Sequence, residues 1–96
     1  MNIKDLMEKY KDAPADRILV RDLLVEAKIV HVPEENLKSY IILEDDSSKL
    51  EAVTIKRTVL DFLKHCVGNN KSFKLKGRLD KTEYGNIAFE IEEILE

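Results

Sequence analysis

Tryptophan is absent, and the chain has only three tyrosines and three phenylalanines. So small an aromatic inventory limits how many flat ligands could be stacked. The single cysteine, Cys66, excludes an internal disulfide. The only histidines, His31 and His65, lie in unrelated segments, so no metal-ligand set forms with it. The three glycines, Gly68, Gly77 and Gly85, are scattered, which excludes a glycine-rich phosphate loop. No apolar run reaches the roughly 18–20 residues that span a bilayer, and no signal-peptide pattern precedes the first charges. Paired acids at Asp45-Asp46 read as turn formers before they read as a cation site. From these absences we expect no catalysis, no metal, no cofactor, no membrane partner and a cytoplasmic location.

What is present is charge: 36% of the 96 residues, with 16 basic and 19 acidic groups and a net charge of −3. That balance exerts no global pull on nucleic acid, so any such ligand must meet a local basic face. The length suits one small domain with one modest core.

Residues 71–96 alternate with period two. Phe73, Leu75, Gly77 and Leu79 point one way, and Lys74, Lys76, Arg78 and Asp80 the other. After the turn-forming cluster Thr82–Asn86, Ile87, Phe89 and Ile91 resume the alternation, which predicts a β-hairpin with one buried face. Gly77, mid-strand, predicts a bulge or a close backbone approach. At the other end, Asn2 caps a short amphipathic helix whose apolar residues are Ile3, Leu6, Met7 and Tyr10. Two readings compete for Asp16 to Val32: a long strand starting near Leu23, or a helix opened by Pro14 and running to Ala27. After a loop at residues 33–36, Ser39 to Glu44 reads as a strand, Asp45–Ser48 as a turn, and Leu50 to Lys56 as the returning strand. The register of that strand is open: either Leu50, Ala52 and Thr54 face inward, or Val53 and Ile55 do. Thr58 is placed to cap a second helix with Val59, Leu60, Phe62, Leu63, Cys66 and Val67 on its apolar face, ended by Gly68.

The order is strand, strand, strand, helix, strand, strand. The segments Tyr40–Asp45 with Ser47–Val53, and Phe73–Leu79 with Tyr84–Ile91, resemble the second and closing hairpins of OB-fold domains. The opening Ile3-Lys4-Asp5-Leu6 is similar to archaeal domains related to replication protein A, and anticodon-binding-type domains share the order. The glycine usual in strand one is replaced by Val25-Glu26-Ala27-Lys28. The resemblance implies an all-β five-stranded Greek-key barrel with accessory helices, one of them between strands three and four. It also implies an organisation of residues 1–12 as a helix and residues 17–96 as one OB-fold domain.

The resemblance further implies that single-stranded DNA or RNA binds the face of strands two and three. Tyr40 and Tyr84 are then the stacking candidates, and Lys38, Lys56, Arg57, Lys76, Arg78 and Lys81 the phosphate contacts. The rival expectation is a protein-interaction subunit of a larger nucleic-acid-processing assembly, in which the basic row only protects a sheet.

Overall fold

The structure, a computed structural model, describes residues 1–34 and 40–95. A helix α1 (Ile3–Tyr10) precedes strands β1 (Arg17–His31), β2 (Ile41–Glu44) and β3 (Lys49–Val53). Helix α2 (Arg57–Cys66) and strands β4 (Ser72–Lys81) and β5 (Ile87–Ile94) complete the chain. The strands close into a barrel in the order β1-β2-β3-β5-β4, with α2 between β3 and β4. This is the OB-fold arrangement, with β3 and β5 as its one parallel pair.

The extended reading of the first segment holds, and the helical alternative does not. β1 is longer than expected, starting at Arg17 instead of near Leu23. Its N-terminal part pairs with β4 and its C-terminal end with β2. One strand serves two neighbours only if it bends, and the missing glycine is replaced by irregularity. Register shifts occur between Val20 and Leu23, where Asp22 takes φ 54°, and again between Ile29 and His31. The second shift explains why His31 is exposed although Val25, Ala27 and Ile29 face the core.

The open register of β3 resolves inward at Leu50 and Ala52, both essentially inaccessible, while Ile55 is 85% exposed. Thr54 donates its hydroxyl to the Ile91 carbonyl at 2.8 Å. Ile41 and Leu43 of β2 also face the core, as do Phe73, Leu75 and Leu79 of β4 and Ile87, Phe89 and Ile91 of β5. Burying each of these large side chains stabilises the barrel by about 1.5–3 kcal/mol.

Gly77 is the point of closest approach. The β4–β5 register shifts there, and a Cβ on Gly77 would lie 1.9 Å from the Glu90 carbonyl oxygen. Across the turn, Gly85 alone takes positive φ (87°) within Thr82–Asn86. The Thr82 amide donates to the Asn86 carbonyl at 2.8 Å and the Gly85 amide to the Thr82 carbonyl at 3.0 Å.

The helices close opposite ends. α2 buries Val59, Leu63 and Cys66, spaced on one narrow stripe, and Phe62 meets Phe73 edge-on with ring centroids 5.9 Å apart. Its apolar face is narrower than the sequence suggested, since Phe62 and Val67 are 46% and 40% exposed. Lys56, not Thr58, occupies the cap position, and no side chain caps that end. Burial pushes the Cys66 thiol up, and its Sγ donates to the Phe62 carbonyl, consistent with an inert core residue.

α1 lies across the other end, where the β2–β3 and β4–β5 turns meet, and sinks Ile3 and Leu6 into the common core. Asn2 caps it as expected, accepting from the Asp5 amide at 2.8 Å. The β2–β3 turn contributes more. The Ile3 amide donates to Asp45 Oδ2 at 2.8 Å, and the Lys4 amide donates to Ser47 Oγ at 3.0 Å. At the far end Lys81 Nζ donates to the Lys11 carbonyl at 2.7 Å and to the Tyr10 carbonyl at 3.4 Å. An anion at the helix N-terminus and a cation at its C-terminus match the macrodipole.

Burial raises the proton affinity of Asp45, but hydrogen bonds from the Ser47 hydroxyl and the Ile3, Ser47 and Ser48 amides outweigh it, so its carboxyl titrates below the ordinary range. A carboxyl lowered on folding contributes stability that is complete above the unfolded pKa of about 4 and disappears as pH falls through the folded value. Melting temperature should therefore decline more steeply below about pH 4 in the wild type than in Asp45→Asn. Parallel slopes in thermal melts would refute the tether. Gly77→Ala should cost at least about 2–4 kcal/mol or prevent folding, read by chemical denaturation, because the carbonyl it meets belongs to Glu90, a residue paired with strands on both sides.

Candidate nucleic-acid interface

Period two along β2 and β3 turns Ile42 and Glu44 outward on one strand and Lys49, Glu51 and Val53 on the other. Ile42 stands opposite Glu51, and Glu44 opposite Lys49. A groove of about 710 Å³ runs from this face to the barrel end beneath α1. Met7, Ile42, Leu50 and Ile87 give it apolar surface, and Glu8, Lys11, Lys49, Glu51, Lys81 and Asn86 are its polar lining.

The β4–β5 turn forms one rim. Thr82 Oγ1 is hydrogen-bonded to Asn86 Oδ1 and accepts from the Asn86 amide at 3.3 Å, which fixes the turn internally. The Asn86 carboxamide reaches the sheet, with Nδ2 3.4 Å from both Tyr40 Oη and Glu51 Oε1. Tyr84, next to Gly85 on the same turn, is 87% exposed. Tyr40 is half-buried beside the start of β2, with Ile41 facing inward as its role on the outer face requires.

Of the expected cations among the described residues, only Lys81 lines this groove. Lys76 and Arg78 face outward as the alternation requires, but β4 pairs with β5 and β1, so their wall is not the β2–β3 wall. They are also compensated. Arg78 grips Asp80 through two hydrogen bonds of 2.9 Å and lies 3.8 Å from Glu90. Lys76 lies 3.9 Å from Asp22, and Lys74 stands opposite Glu26. Lys81 is 7% exposed, with its ammonium turned to α1. The alternation carries it to the inner side of the end of β4, where its ammonium is engaged by the last carbonyls of α1.

Lys56 and Arg57 follow β3 at the start of α2 and are exposed, with Arg57 3.8 Å from Asp61. Lys38 lies outside the described residues. Lys49 and Lys56 form no ion pair among the described residues, although Glu44 stands across from Lys49 as Glu26 does from Lys74. Sequence reasoning missed Lys49, Glu51 and Asn86. The signal that finds the first two is the β3 register, since inward Leu50 and Ala52 force them outward.

Among the described residues no group of three or more His, Cys, Asp or Glu side chains is arranged to hold a metal ion, and no helix is long and apolar enough to cross a membrane. No protein-family model matches the chain, and no curated protein matches it significantly.

If Lys81 holds α1 instead of a ligand, Lys81→Ala should lower folding stability by about 1–3 kcal/mol, because two helix-end carbonyls lose a charged donor. Arg57→Ala, at an exposed ion pair, should change it by less than about 0.5 kcal/mol. Equal effects in denaturant titrations would overturn this division.

Proposed function

We propose that the protein is a non-catalytic module for single-stranded nucleic acid, bound on the β2–β3 face and in the groove under α1. The observation that carries this reading is Tyr84, a large aromatic 87% exposed on a turn fixed by internal hydrogen bonds. Exposing a tyrosine that fully gains nothing for folding, while a rigidly presented ring stacks on a base at low entropic cost. The apolar groove lining beside it and Tyr40 nearby supply further surface for bases. The likeness to OB-fold domains related to replication protein A and to anticodon-binding domains points the same way.

Stacking, not phosphate capture, dominates in this reading. Lys49 and Lys56 remain as the main phosphate contacts. About two such contacts give a log–log salt slope near −1.4 for single strands, shallow for a nucleic-acid binder.

Titrating a fluorescent oligonucleotide of about 12 nucleotides tests the proposal. Binding should be measurable at low salt and weaken with that shallow slope. Tyr84→Ala should weaken it about 5- to 100-fold while leaving folding stability within about 0.5 kcal/mol. No binding at low salt, or an unaltered Tyr84→Ala variant, refutes it.

A second reading rests on a different surface. Near α2, a groove of about 510 Å³ is lined by Val59, Phe62, Ile94 and Leu95, and Ile55, 85% exposed, lies just beyond β3. Solvent-facing apolar side chains concentrated at one barrel end fit a subunit that docks on another protein. Failure of every oligonucleotide to bind would favour this reading.

A further inference from the structure

An unpaired carboxylate is a poor neighbour for phosphate, yet Glu51 stands at the centre of the β2–β3 face. It lies opposite Ile42 on one side and Ala88 on the other, neither of which can neutralise it. Among the described residues no lysine or arginine forms an ion pair with it. One oxygen, Oε1, takes the long 3.4 Å contact from Asn86 Nδ2, which orients the carboxylate towards the Tyr40 hydroxyl and the groove. The second oxygen accepts no hydrogen bond among the described residues. The polar edge of the groove at this point therefore presents acceptors.

Resting on the reading of this face as a single-strand site, we propose that Glu51 is a specificity-determining residue that selects guanine. An ionised carboxylate offers only acceptors, in a fork that matches two adjacent N–H donors. Guanine presents such a pair on its Watson–Crick edge, N1–H beside the N2 amino group. Adenine and cytosine each set one amino group beside a ring-nitrogen acceptor, which repels the second oxygen. Thymine and uracil flank one N–H with two carbonyls. Unpaired strands leave these edges free to be read while the base lies against an aromatic ring. The same carboxylate holds phosphates off the centre of the face, leaving the backbone to pass near Lys49, two residues away on the same side of β3.

The test uses the full chain and oligonucleotides of about 12 thymidines, in which three separated positions carry dG, dI, dA or dC, with ribonucleotide counterparts. The dG strand should bind about tenfold tighter than the all-thymidine strand. The dI strand, which lacks the N2 amino group, should lose most of that gain. Glu51→Gln keeps an acceptor for Asn86 and nearly the same volume, so it should fold normally, and the ratio of dG-strand to thymidine-strand affinity should fall to about one. Equal affinity for all strands, or a preference that survives Glu51→Gln, overturns the assignment of Glu51 while the binding site stands. No binding of any strand by the wild type overturns the site and the selectivity together. The ribose and deoxyribose series show which sugar the site accepts.

Discussion

Closure of the barrel rests on one long strand serving two neighbours. β1 runs 15 residues, gives its N-terminal part to β4 and its C-terminal end to β2, and so joins the two hairpins into a ring. A regular strand of that length cannot follow the wall of so narrow a cylinder. The bend is made by the bulged turn of backbone at Asp22 and the second shift before His31, and facing it Gly77 lets β4 approach the β5 backbone where no side chain would fit. Core packing, the end plugs and the outer face all follow from this closure, because each depends on Leu43, Leu50, Leu79 and Phe89 converging on one axis.

The N-terminal helix is too short to be stable alone, and the barrel supplies what it lacks. Apolar burial of Ile3 and Leu6 holds its face, and oppositely charged side chains, Asp45 of the β2–β3 turn and Lys81 at the end of β4, hold its ends. The β2–β3 turn is thereby a structural tether, and the Lys81 ammonium donates to the Lys11 carbonyl and, at longer range, to the Tyr10 carbonyl, which also accepts from the Ala13 amide. The groove beneath α1 exists because the helix is fixed there. The ends of the helix, the apolar lining and the adjoining β4–β5 turn form one rigid setting for the exposed Tyr84.

Charge is distributed by wall. The β1–β4–β5 wall is a lattice of alternating signs, in which Glu26 faces Lys74 and Arg78 lies between Asp80 and Glu90. Such mutual compensation suits a solvated sheet surface and leaves little potential for an external anion. The β2–β3 wall is sparser, with Glu44, Lys49 and Glu51 as its outward charges, Glu44 directly across from Lys49, and Tyr40 beside the start of β2.

Alternation and spacing were enough to read the closing hairpin, the cap at Asn2, the place of α2 and the order of elements after β1, because each is local and follows a period of two or 3.6, whereas strand and helix stayed open for β1 until its partners were known. The close approach at Gly77 was legible too, since a glycine inside an alternating strand marks a place where a side chain does not fit. Three features needed the tertiary structure. The β3 register required the β5 partner, because both faces of Leu50–Ile55 carry apolar residues. The fate of Lys81 required α1, because nothing in the sequence indicates that helix-end carbonyls wait 70 residues away. The position of the basic row required barrel closure, because strand order alone decides which wall lies beside which. A linear chain encodes which side of its own strand a residue occupies, but only three-dimensional pairing determines what that side confronts.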